Sequence, residues 1–108
     1  MQYIIRYDVK PQQAEAFRAW LSKNREAFGD HAPTGWSYVG TWFTVQGFGS
    51  YQAETRWELD DYASLGSGFG DEENQRLLAE WFDFVAEGRP NETYLMKSAD
   101  DVSILKGT

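Results

Sequence analysis

Residues 35–59, GWSYVGTWFTVQGFGSYQAETRWEL, read as two strands, and the first places large aromatics on both of its faces. Successive side chains of a strand point to opposite sides of the sheet. Strict alternation therefore sets Trp36, Tyr38 and Trp42 against Val39, Phe43 and Val45. In the second strand Tyr51, Ala53, Thr55, Trp57 and Leu59 alternate against Gln52, Glu54, Arg56 and Glu58. The intervening QGFGS carries the glycines that a hairpin or bulge requires. Helices on one side of a sheet bury one face only, so the other aromatic face needs a cover of its own.

The rest of the chain supplies the layers. Residues 2–9 read as a strand with Tyr3, Ile5, Tyr7 and Val9 on one face and Gln2, Ile4, Arg6 and Asp8 on the other. Pro11 suits a first helical position. From there Ala14, Phe17, Leu21, Asn24 and Phe28 recur at helical spacing beside Trp20, with Gly29 as the C-terminal stop. ASLGSGFG reads as a flexible loop, and Asp71 as the N-cap of a helix over 72–87 carrying Leu77, Leu78, Trp81, Phe82 and Val85. Gly88 and Pro90 end that helix, ETYLMK reads as a fourth strand, and the tail ADDVSILKGT as a short edge strand or a partner contact.

The order β-α-β-β-α-β predicts an α+β, ferredoxin-like fold: a four-stranded antiparallel sheet with two helices on one face. Tyr3, Ile5, Tyr7 and Val9 with Val39, Phe43 and Val45 form the expected helix-side layer. The opposite face collects Arg6, Asp8, Trp36, Tyr38, Trp42, Thr44, Gln46, Glu54, Arg56 and Glu58. Three large aromatics there exceed what a soluble monomer tolerates. A second copy, sheet to sheet, covers them, which makes a homodimeric barrel the expectation.

At 108 residues the chain has room for one domain, residues 1–108. Five Trp, six Tyr and seven Phe are more rings than a core of this size needs, so some line an interface or a pocket. The net charge of −7 opposes nucleic-acid backbones and anionic membrane surfaces as partners. The absence of cysteine removes disulfides, thiolate metal sites and a cysteine nucleophile. MQYIIRYDVK lacks the pattern of a secretory signal and no stretch has the length of a membrane span, so a cytoplasmic location is expected.

Several residues are candidates for chemistry. His31, the sole histidine, lies in GDHAPTGW between a helix end and an aromatic strand, where it serves either as a general acid or base or as an ordinary surface residue. Glu54, Arg56 and Glu58 share a strand face with Arg6. Enclosed, the carboxylates are candidate bases and the arginines candidate ligand anchors; the competing reading is a cross-strand ion-pair ladder with Arg6 and Asp8. Trp36, Tyr38 and Trp42 are suited either to stacking a flat organic ligand or to packing a dimer core. GSGFGD lacks phosphate-loop spacing and leads into acids, so it is a connector or a lid. No metal site and no cofactor is expected.

The middle segment, GTWFTVQGFGSYQAETRWELDDYASL, resembles the NIPSNAP-like branch of the dimeric α+β barrel superfamily. The shared pattern is a Gly-aromatic strand, a glycine hairpin, a strand ending in Trp-acid-hydrophobic, and an Asp-Tyr-x-x-Leu turn. The resemblance implies a homodimer with a ligand-sized cavity between each sheet and its helices or partner sheet. Members of that superfamily include cofactor-free monooxygenases, haem-degrading enzymes, lactone isomerases and dehydratases, and the resemblance does not choose among these chemistries. The histidine-led motif of the stress-responsive members is absent. The alternative is a non-catalytic assembly or sensor module whose sheet face is only an interface.

Overall fold

A computed structural model describes residues 1–47 and 49–100. Four strands form one antiparallel sheet: β1 (Gln2–Tyr7), β2 (Trp36–Phe43), β3 (Ala53–Leu59) and β4 (Glu92–Met96), in spatial order β2-β3-β1-β4. Helices α1 (Ala14–Lys23), α2 (Arg25–Asp30) and α3 (Glu72–Phe84) pack on one face. This is the expected ferredoxin-like arrangement. No helix among the described residues is long and apolar enough to cross a membrane. Most of the expected tail, residues 101–108, and residue 48 of the hairpin lie outside the described residues.

The first helix is shorter than expected and broken. Gln12 takes a left-handed backbone with φ of 66° just after Pro11, so the chain turns there and α1 starts at Ala14. Asn24 then interrupts the helix: its side-chain amide donates to the Trp20 carbonyl at 2.9 Å, competing with the helical ladder. Gly29 is therefore an interior residue of α2 and His31 its C-cap. The break still keeps Phe17 and Phe28 on the sheet, both buried. The segment after β3 is ordered as a 3-10 helix over Tyr62–Ser67, with Asp61 accepting from the Ser64 N–H. Helix α3 begins where expected, at the Asp71 cap, and stops at Phe84. There Val85 leaves the helix to bridge Val9.

The main correction lies in β2. Tyr38 pairs with Trp57 and Gly40 with Arg56, so Val39 is an extra residue and the strand carries a bulge. Before the bulge Trp36 and Tyr38 point to the helices; after it Thr41 and Phe43 do. Trp36 and Tyr38 thus leave the outer face to which strict alternation assigned them, and Val39 takes a half-exposed place away from the core. Val45 lies beyond the end of the strand, almost fully exposed, and contributes nothing to the helix-side layer.

Two apolar clusters fill the space between sheet and helices. Tyr7, Phe17, Ala53, Trp81 and Val85 form one, with Phe43 packed against it. Phe28, Trp57, Leu59 and Leu77 form the other, with Tyr3, Trp36 and Tyr38 alongside. Edge-to-face contacts order each of them, Tyr7 on Trp81 at 4.7 Å in the first and Trp36 on Trp57 at 5.8 Å in the second. Gly35 is required at the entry to β2. Its φ is +85°, and a Cβ there would stand 2.3 Å from Ser64 Oγ, so the strand and the 3-10 helix meet only through glycine.

Candidate functional site

A cavity of about 340 Å³ opens between the helix-side face of the sheet and the helices. Its floor is the strands: Tyr3 and Ile5, Trp36, Tyr38 and Thr41, Thr55 and Trp57. Phe28 of α2 and Asn74, Leu78, Trp81 and Phe82 of α3 cover it, with Leu65, Gly68 and Phe69 closing one side. No Asp, Glu, Lys, Arg or His lines it among the described residues. Phe69 and Phe82 are largely exposed, so the mouth is rimmed by aromatic rings.

A row of hydroxyls crosses this apolar floor. Tyr38 Oη lies 2.7 Å from Thr41 Oγ1, which lies 2.9 Å from Thr55 Oγ1, which lies 2.7 Å from Tyr7 Oη. The bulge creates the row, since without it Thr41 would face the other way. Burial pushes the Tyr7 hydroxyl up to about 12, against the lowering effect of its Thr55 hydrogen bond. Burial likewise raises Tyr38. Both phenols stay protonated at neutral pH and act as hydrogen-bonding groups.

His31 stands at the edge of the cavity and does not line it. Its ring Nδ1 lies 2.7 Å from Asp71 Oδ2, and that hydrogen bond raises the imidazole pKa while lowering that of Asp71. Asp71 Oδ1 accepts the Asn74 backbone N–H at 2.9 Å, so the imidazole braces the first turn of α3. The Asn74 side-chain amide donates in turn to the Phe69 carbonyl. The GSGFG connector is therefore a hydrogen-bonded wall of the cavity.

The other expected site residues lie on the opposite face of the sheet. Glu54 receives Arg6 Nε on one oxygen at 2.9 Å and Arg56 Nε on the other at 2.7 Å. Partial burial pushes the Glu54 carboxyl upward, but the two arginine hydrogen bonds and charges prevail and hold it below its ordinary range. A carboxylate so engaged is a weak base. The Arg6 guanidinium sits 4.8 Å from the Tyr94 ring centre and that of Arg56 5.3 Å from Trp42. Asp8 does not join this ladder; it pairs with Arg89 at 2.7 Å. Glu58 accepts from the amino group of Met1 at 3.1 Å. Tyr38 and the pair Trp42–Arg56 are thus separated by the sheet and flank no common cavity.

Strict alternation set Tyr38 on the opposite face from Thr41 and Thr55, so the hydroxyl row went unseen, as did Asn74 on the helix. The glycine of Val39–Gly40 was the available signal for a bulge, and the Asp71-x-x-Asn74 spacing placed Asn74 at the third position of a capped helix. Among the described residues no group of three His, Asp or Glu side chains is arranged to hold a metal ion.

A four-stranded antiparallel sheet in this order, with helices on one face, is a ferredoxin-like α+β fold, and this chain has it. Among solved structures it matches an uncharacterised NIPSNAP domain protein from Burkholderia xenovorans with a TM-score of 0.64 and 15% identity, over 92% of this chain and 96% of that one. An antibiotic biosynthesis monooxygenase-like protein from Bacteroides thetaiotaomicron matches with a TM-score of 0.59 and 14% identity, over 92% and 89%. A conserved protein from Methanosarcina mazei matches at 0.61 and 15%, over 89% and 91%. At such identities the likeness is one of fold. No family model and no curated protein matches the sequence.

Proposed function

We propose that this protein binds a small, uncharged aromatic molecule in the cavity between its sheet and helices, and that it does so as a homodimer joined through the outer sheet face. The observation that carries the binding role is the lining itself: aromatic walls, no ionisable group other than tyrosine, and one hydroxyl row. Binding sites for small organic ligands combine mostly apolar walls with a few placed polar groups. An anionic ligand would find no cation there to offset its desolvation. Where the ligand carries a polar oxygen, the Tyr38–Thr41–Thr55 row would be the polar strip that orients it.

The dimer rests on the other face. There Val39, Trp42, Tyr94 and Met96, each 38–50% exposed, surround the Arg6–Glu54–Arg56 group. An apolar rim around a paired ionic centre is a surface suited to a second copy of itself.

Calorimetric titration and thermal shift with 2-naphthol and 2-naphthoate test the binding role. The naphthol should bind and raise the melting point, and the naphthoate should do neither. Leu78→Trp, which fills the cavity from α3, should abolish the naphthol response in a folded protein. Equal binding of both compounds, or of neither, overturns the reading. Light scattering tests the dimer: about twice 12.4 kDa is expected, and Trp42→Glu should return the protein to a monomer.

A further inference from the structure

The hydroxyl row on the cavity floor has a direction. The hydroxyls of Tyr38, Thr41, Thr55 and Tyr7 are four, and three hydrogen bonds join them. Each hydroxyl brings one proton, so three are used inside the row and one is left over at an end of it. Tyr7 is the sealed end: it is 0% exposed, its bond to Thr55 is buried, and it does not line the cavity. Beyond the row, the polar group beside it is the indole N–H of Trp81, whose ring packs on Tyr7 at 4.7 Å and which can only donate. A spare proton on Tyr7 would be a buried donor without an acceptor, which native structures seldom hold. Tyr7 therefore donates to Thr55, Thr55 to Thr41 and Thr41 to Tyr38, and the spare proton falls to Tyr38. That end is the open one. Tyr38 is half-buried, it lines the cavity together with Thr41, and the bond between the two is only partly buried. Among the described residues Thr41 is the one hydrogen-bond partner of the Tyr38 hydroxyl.

We infer that the cavity selects aromatic molecules that carry an uncharged hydrogen-bond acceptor, an aryl carbonyl, and that the Tyr38 hydroxyl donates to that carbonyl oxygen. The inference rests on the binding role proposed above and narrows it to a ligand class. A hydroxyl that accepts one hydrogen bond becomes a better donor for the next, so the row behind Tyr38 strengthens the donor it presents. Thr41 and Thr55 spend their protons inside the row, which leaves Tyr38 as its one donor toward the cavity. A carboxylate also accepts, but it would enter without a lining cation to offset its desolvation.

The test compares 2-acetylnaphthalene with 2-isopropenylnaphthalene, in which a methylene of nearly equal shape replaces the carbonyl oxygen. Calorimetry is run on the wild type and on a double variant, Tyr38→Phe with Thr41→Val, the second change preventing Thr41 from taking over as donor. A cavity without a donor favours the alkene, since the carbonyl must shed its water. With Tyr38 as donor the wild type should favour the ketone, on the order of tenfold. In the double variant that preference should vanish or invert while the alkene still binds. Equal affinities or an alkene preference in the wild type, or a ketone preference that survives in the double variant, overturn the inference and leave the binding role standing. Failure of both ligands to bind the wild type removes the binding role and the inference together. Should the double variant not fold, Tyr38→Phe decides, through the infrared carbonyl stretch of the bound ketone. A stretch at higher frequency than in the wild type keeps the donor on Tyr38, and an unchanged one overturns the inference.

Discussion

The two faces of this sheet solve opposite problems with the same three strands. On the helix side, β1, β2 and β3 present rings and hydroxyls and no charge, and the space they leave is a cavity. On the other side the same strands present Arg6, Glu54 and Arg56, and the ion pairs are flanked by rings that remain half in water. Apolar closure holds the fold together, and it is nearly all on one side. The ionic face contributes less as it stands, because exposed ion pairs are screened and a partly solvated indole has little left to lose.

The sharpest way to break that contrast is to truncate one ring on each side. Phe17 is fully buried, against Tyr7, Phe43 and Phe84. Phe17→Ala should lower stability by about 3–5 kcal/mol in urea unfolding. Trp42→Ala should cost less than about 1 kcal/mol at protein concentrations where the chain is monomeric. If the Trp42→Ala cost approaches that of Phe17→Ala and grows with protein concentration, the outer face is covered in solution and the asymmetry belongs to the isolated chain.

A smaller effect is expected at the ionic centre. Glu54→Gln leaves two arginines, each about two-fifths exposed, without their shared carboxylate. The loss should be about 1 kcal/mol in a monomer and well above that if a partner excludes water. Added salt should shrink the difference between Glu54→Gln and wild type in the first case and leave it in the second.

The smallest effect lies at the edge between helix and cavity. The His31 pKa is raised by its Asp71 hydrogen bond, so the pair's stabilisation is complete below the unfolded histidine value of about 6.5 and fades as pH rises through the folded value. Asp71, lowered chiefly by the same bond, sets the acid limit: its contribution is present above the unfolded aspartate value of about 3.9 and is lost as pH falls through the folded one. Melting points should drift down as pH rises above the unfolded histidine value in the wild type. In His31→Gln that drift should be absent, and an unchanged slope there would exclude the pair as its source.

The topology was legible because each element carries its own period: alternation in β1 and β3, three- and four-residue spacing in the helices, a cap at Asp71. The cavity was less legible. A bulge is a single-residue event that hydrophobic period does not announce, and it moved Trp36 and Tyr38 from one face to the other. The helix break at Asn24 was hidden for a similar reason, since Asn24 fits the buried stripe by position and departs from it by where its amide bonds. Asn74 escaped notice because a polar residue in the first turn of a helix is ordinary until its oxygen is found buried and unpaired. His31 was placed near the right feature, yet its partner, Asp71, lies 40 residues away in sequence.

The extra residue at Val39 gives β2 two reading frames. Up to Tyr38 its large side chains are spelled toward the cavity; from Trp42 they are spelled outward. Two selective pressures can therefore act on one short strand without meeting. Changes at positions 36 and 38 retune what the cavity accepts, and changes at 42 retune what the outer face meets. Deleting Val39 would merge the frames, turning one half of the strand over relative to the other, and neither face could then change without altering the other.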